Sequence, residues 1–101
     1  MTATLTPWPN PSPPTPEDLD ALLRRDGLSS RWWSNGPGDG YAAHTHPYHK
    51  VLYCSHGSIT FLVDGESLVL SPGDRLDIPP NTSHSATVGQ EGVECVEAAR
   101  V

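Results

Sequence analysis

The feature that most constrains this chain is its punctuation. From Leu28 onward, short runs rich in branched and aromatic residues recur roughly every eight to twelve residues, with no helical pattern between them. The runs fall at 30–34, 41–46, 50–55, 58–63, 66–70, 75–78, 84–88 and 93–98. Turn chemistry separates most of them: Gly36-Pro37-Gly38, Asp64-Gly65, Ser71-Pro72-Gly73-Asp74, Pro79-Pro80-Asn81 and Gly89-Gln90-Glu91-Gly92. Asp64-Gly65, between a Phe-Leu-Val run and a Leu-Val-Leu run, is the strongest hairpin signal. Parallel strands need long crossovers, usually helical, and there is no room for them here. The expected fold is therefore all-β: an antiparallel sandwich or barrel.

Only the N-terminal part departs from this pattern. Residues 1–15 form a Pro-rich arm carrying Pro7, Pro9, Pro11, Pro13 and Pro14, which removes backbone donors and favours an extended course. Such an arm is either a disordered tail or, given Trp8 in its middle, a segment docked on this subunit or a partner. A short helix is predicted over 16–26. Thr15 suits the N-cap, Pro16 the first helical position, Glu17 and Asp18 the positive end of the dipole, and Gly27 the stop. Leu19, Leu22 and Leu23 give it one apolar stripe. The 101 residues leave room for one domain, here 16–101, with no second core. Trp32 and Trp33 are adjacent on a strand and must face opposite ways. One indole enters the barrel; the other needs the leucine stripe or a second subunit to cover it.

Charge narrows the partners. Six basic against twelve acidic residues give a net charge of −6, without a basic stripe. That argues against nucleic acid and anionic membranes as partners. The apolar runs are far too short for a membrane span, and the first residues lack the pattern of a secretory signal, so a cytoplasmic protein is expected. Cys54 and Cys95 lie too far apart in sequence for a zinc ribbon and are too few for a disulfide framework, and they read as buried packing thiols. The chain also lacks a nucleophile elbow, a glycine-rich phosphate loop and a His-Glu-x-x-His motif.

The chemistry concentrates in histidine. Four of the five histidines, His44, His46, His49 and His56, fall within thirteen residues. His44 and His46 share strand parity, so both rings lie on one face, close enough to hold one ion. A lone His-x-His is weak, because a solvated strand face would look the same. The surrounding text strengthens it: Gly40, His44-x-His46, Lys50, then six residues to Gly57, and later Gly73, Pro79, Asn81, His84 and Val88.

Over roughly 40–88 this pattern resembles the two sequence motifs of the cupin family. The first spacer is shorter than usual, three residues between Gly40 and His44, and Asn81 takes the place of a turn glycine. Asn tolerates the left-handed conformation that such a turn needs. The resemblance implies a jelly-roll-like antiparallel β-barrel. It implies that His44, His46 and His84 correspond to the family's three histidine ligands for a divalent transition metal such as iron, manganese, nickel or zinc. It also implies a small-molecule ligand or substrate and, since dimers are common in the family, a homodimer.

At the position of the family's fourth ligand, a glutamate, this chain has Lys50. An ammonium offers no lone pair and is repelled by a cation. Three arrangements are open. Three histidines alone hold the ion, and Lys50 meets an anionic ligand in the cavity or serves as a neutral base of lowered pKa. Alternatively, Pro47 forces a bulge and His49 turns inward as a fourth ligand. In the third, metal has been lost and the cavity binds a ligand without it. Lys50 and Tyr48, which share inward parity, are the candidate catalytic residues. Cys54 shares it too and is expected to pack. His56 is expected to be a solvated loop residue. Glu94 and Glu97 differ in parity, so at most one faces inward, where it would pair with Lys50 structurally. Two functions compete: a metal-dependent small-molecule enzyme, and a ligand-binding or sensing module without turnover.

Overall fold

The computed structural model describes residues 3–100; the first two residues of the arm and Val101 lie outside the described residues. In chain order the elements are β1 (Thr4–Thr6), α1 (Pro16–Arg25), β2 (Arg31–Asn35), β3 (Gly40–His44), β4 (His49–Val63), β5 (Glu66–Leu70), β6 (Arg75–Ile78) and β7 (His84–Arg100). All pairings are antiparallel, in a seven-stranded sheet that curls into a jelly-roll-like barrel.

Two long strands form its spine. β4 and β7 pair from His49↔Arg100 to Val63↔His84. The first half of β4 also pairs with β6, while its second half pairs with β5. β7 does the same, taking β3 near its start and β2 near its end. Each long strand thus passes from one wall of the barrel to the other. The register slips between Cys54 and His56 and between Gly57 and Ile59 bend the ladder where it crosses. The sequence reading expected four separate strands here. The Ser-His-Gly and Gly-Gln-Glu-Gly segments are irregular stretches within continuous strands rather than breaks, and His56 is exposed on β4 rather than in a loop.

The turns behave as their chemistry requires. Asp64 and Gly65 both take positive φ, 50° and 78°, in a two-residue hairpin that sets the register at Val63↔Glu66. Asn81 sits at φ 59°, the left-handed conformation expected of it. Its N–H donates to the carbonyl of His46 at 2.7 Å, tying the Pro-Pro-Asn turn to the histidine loop.

Strand alternation then sorts the side chains. Leu52, Cys54, Ile59, Phe61, Leu76, Ile78 and Cys95 fill the barrel. Val51, Tyr53, Val96 and Ala98 face outward and meet Leu19 and Leu23 of α1, both fully buried. The stabilisation is roughly 1.5–3 kcal/mol for each leucine so buried. A capping box fixes the start of α1: Thr15 Oγ1 accepts from the Asp18 N–H, and Asp18 accepts from the Thr15 N–H. The outward tryptophan is Trp32, which packs against this helix layer and donates Nε1–H to Asp20 at 3.0 Å. Trp33 packs against the barrel core.

The arm is docked on its own subunit. Residues 4–6 extend the sheet as β1 by pairing with β6, which the expectation of a simple extended arm missed. Trp8 packs over Gly73, where a Cβ would come within 2.3 Å of the indole, and its backbone N–H donates to Asp74 at 3.0 Å.

Candidate metal centre

Three strands and a loop converge on one end of the barrel. His44 ends β3 and His84 begins β7, and the two are register partners across that ladder. His46 follows in the loop that Asn81 holds. Their ring centroids lie 4.3 Å apart for His44 and His84, 4.8 Å for His44 and His46, and 5.2 Å for His46 and His84. Each ring offers a nitrogen within 4.8 Å of the other two.

Hydrogen bonding decides which nitrogen is available. His44 Nδ1 lies 2.7 Å from the carbonyl of Ala42, and His84 Nδ1 lies 3.0 Å from that of Thr82. A carbonyl only accepts, so both Nδ1 atoms carry the proton and each Nε2 keeps its lone pair. The Nε2 atoms of His46 and His84 are buried without a hydrogen-bond partner. Orphaned buried polar atoms are rare, and two side by side need an explanation. Burial lowers the pKa of both rings; for His46 the nearby Lys50 adds to this, and for His84 the His44, Lys50 and His46 groups do. Both are therefore neutral lone-pair donors at neutral pH. Backbone-anchored Nδ1–H groups with free Nε2 atoms are what an imidazole donor set for a transition metal requires.

Lys50 does face this cavity and is buried. Its Nζ lies 3.3 Å from Glu97 Oε1, which also accepts from Trp33 Nε1 at 2.7 Å. Of Glu94 and Glu97 on β7, Glu97 is the inward one, and Lys50–Glu97 is an ion pair inside the cavity. His49 is not with the other three. No bulge intervenes between it and Lys50, so strand parity places it on the opposite, outward face with Val51 and Tyr53. There its Nε2 meets Asp77 Oδ1 at 2.8 Å. Asp77 is gripped by Arg75 through two bonds of 2.8 and 3.1 Å, and Arg75 reaches on to Asp26 and Tyr53. Burial opposes ionisation of Asp77, but Arg75 and His49 outweigh it and its pKa is lowered. Tyr48 stacks on His46, with centroids 4.9 Å apart and planes 24° from parallel.

The cavity has a volume of about 220 Å³ and is lined by the three histidines, Lys50, Glu97 and Arg31, with Trp33, Tyr41, Phe61 and Ala86 as apolar wall. Sequence reasoning assigned no role here to Arg31, Tyr41 or Phe61. Parity could have found Phe61, which alternates with the buried Ile59 and Val63; Tyr41 lies beyond a register shift in β3 that hides its direction. Cys54 and Cys95 are register partners buried in the core, both free thiols. The adjacent Cys54 thiol and burial raise the pKa of Cys95, as expected of packing thiols.

An antiparallel jelly roll with three histidines at one mouth defines a class, and comparison with known proteins agrees. Residues 32–97 match the cupin domain family. The chain belongs to the cupin family. Over 54 residues it is 46% identical to quercetin 2,3-dioxygenase of Bacillus subtilis (strain 168), a match that covers 52% of this chain and 16% of that enzyme. A crystal structure of an RmlC-like cupin from Shewanella frigidimarina superposes with a TM-score of 0.65 at 26% identity, covering 71% of this chain and 64% of that one. Salicylate 1,2-dioxygenase from Pseudaminobacter salicylatoxidans superposes with a TM-score of 0.64 at 17% identity, over 71% of this chain and 20% of that one, and shows a shared fold. The chain thus spans about one sixth of the length of the curated dioxygenase it matches. Among the described residues, no helix is long and apolar enough to cross a membrane.

Proposed function

We propose that this protein is a metal-dependent enzyme acting on a small organic molecule at a centre formed by His44, His46 and His84, with oxygenase chemistry as the reaction class. The observation that carries the reading is the pair of buried, unpartnered Nε2 atoms beside a third ring whose Nδ1 is anchored on the main chain. Local identity to a dioxygenase supports the reaction class. A divalent ion of iron, manganese, nickel or zinc bound there supplies Lewis acidity and, where redox-active, chemistry with dioxygen. The chain's own residues do the rest. The carbonyls of Ala42 and Thr82 orient two rings, Asn81 holds the loop of the third, and the apolar wall limits water around the bound molecule. With three imidazoles and no carboxylate in the donor set, a bound ion would keep positions open for water or substrate.

A second reading, a ligand-binding module without turnover, draws on Lys50 standing where the family has its glutamate ligand. The reading extends to a reducing cytoplasmic setting, in keeping with two adjacent thiols that are free. It extends also to a homodimer, for which the exposed Leu62 and Val69 offer an apolar face.

The test is elemental analysis of protein purified without chelators. Wild type should retain about one ion per chain, His84→Ala should lose it, and Lys50→Ala should keep it. Undiminished metal in His84→Ala sinks the assignment. Metal-free wild type that small anions nevertheless stabilise favours the binding module.

A further inference from the structure

We propose that the cavity selects a single-ring carboxylate, and that Lys50 is the specificity-determining residue that receives the carboxylate group. This names the substrate class for the site described above; the part of the inference that concerns Lys50 does not need the ion.

Size sets the first limit. The cavity holds about 220 Å³, and an engineered apolar cavity of about 150 Å³ in another protein takes up benzene. One ring with small substituents fits within this volume, and a fused three-ring system would project out through the open mouth. The wall suits a flat ring. Trp33 and Tyr41 stand edge to face with centroids 5.8 Å apart, and Phe61 closes the far side near His84, at 6.4 Å between centroids.

Charge sets the second limit. Arg31 and Lys50 give the cavity two positive charges and Glu97 one negative, a net of +1 from these three side chains, on a chain whose overall charge is −6. An anion therefore finds attraction here that the rest of the surface denies it. Lys50 has three N–H donors, of which Glu97 takes one, leaving two for a ligand. Glu97, itself fixed by Trp33, holds the ammonium on the histidine side of the cavity, so it acts as a positioning residue. Arg31 has no carboxylate within ion-pair distance among the described residues and lies exposed at the mouth, where it draws the anion in.

The consequence of replacing a carboxylate ligand by lysine is then specific. A charge that the family spends on the ion becomes a charge that reads the substrate.

The experiment is calorimetric titration of the full chain, both metal-free and loaded with Zn²⁺, using benzoate, its neutral counterpart benzamide, and 9-anthracenecarboxylate. Benzoate should bind at least tenfold more tightly than benzamide in both forms, and 9-anthracenecarboxylate should bind at least tenfold more weakly than benzoate. In the metal-free form, where no ion can ligate the carboxylate, the preference for benzoate should vanish in Lys50→Met/Glu97→Gln and persist in Lys50→Arg; every outcome for the double variant is read in that form. The double variant leaves no orphaned charge, and its unfolding midpoint is measured alongside. Since Glu97→Gln alone makes the cavity friendlier to anions, a loss in the double variant belongs to Lys50. Equal affinity for benzoate and benzamide, a preference that survives in the double variant, or no benzoate binding overturns the role of Lys50. Anthracenecarboxylate binding as tightly as benzoate overturns the single-ring limit. If Zn²⁺ is not taken up while the benzoate preference stands, the metal reading fails and this inference holds.

Discussion

Removing the charge of Glu97 tests whether the Lys50–Glu97 pair is the electrostatic keystone of the cavity. The two side chains are 10% and 15% exposed and 3.3 Å apart, near the buried end of the range for ion pairs. Breaking a fully buried pair by deleting one partner costs about 3–5 kcal/mol, chiefly because the other charge is stranded. Glu97→Gln keeps an acceptor for Trp33 Nε1 and for Lys50 Nζ, and the cavity mouth admits water, so the cost should fall to about 2 kcal/mol. For a chain of this length that is a fall in Tm of roughly 8–16 °C. Urea unfolding of metal-stripped protein should show a midpoint lower by about 1–2 M with an unchanged slope. Lys50→Met in the Glu97→Gln background removes the stranded cation and should recover at least about 1 kcal/mol. The reasoning fails if Glu97→Gln lies within about 0.5 kcal/mol of wild type, the range of ordinary surface changes. It fails equally if the double variant is less stable than Glu97→Gln alone.

Other outcomes follow from the same contacts. In metal-free protein, His46 and His84 have folded pKa values below the 6.5 of an unfolded chain, so the unfolded state binds more protons as pH falls through 6.5. Stability should therefore be full above that pH and decline below it, with a further loss below 3.8 as Asp77 is protonated; a urea midpoint higher at pH 5 than at pH 8 would contradict this. Trp8→Ala should cost about 1–2 kcal/mol, less than a fully buried tryptophan, and should speed amide exchange in β6 as β1 detaches. Unchanged exchange there would mean that the arm contributes nothing to the sheet. Cys54 and Cys95 should both resist a thiol-reactive dye in native protein and react only with denaturant, given their complete burial; fast native labelling would refute their role as packing thiols.

Much of this architecture was legible because it is written in local chemistry. The Asp64-Gly65 hairpin, the Thr15 cap and Asn81 in its left-handed turn each depend on a few neighbouring residues, whereas His46 reaches the site from the loop after β3 rather than by the strand parity expected of it. What stayed hidden depends on edges and on long-range register. Three residues just ahead of a run of prolines look like coil, and β1 exists because β6 presents a free edge. Irregular segments that locally resemble turns carry β4 and β7 across the barrel, since the strands they join have partners on both sides of the bend. His49 remained a candidate ligand until the absence of a bulge before Lys50 fixed it on the outer face, in the grip of Asp77 and Arg75. An inward glutamate on β7 was foreseeable, but its choice as Glu97, shared between Lys50 and Trp33, joins three strands that no single window of sequence spans.

X-ray absorption at the metal edge, on protein as purified without chelators, tests the central claim most directly. The account predicts about three imidazole nitrogens at roughly 2.0–2.1 Å with the remaining positions filled by oxygen from water, and no sulfur. A sulfur shell near 2.3 Å, which would bring in Cys54 and Cys95, or a spectrum without imidazole scattering would contradict it.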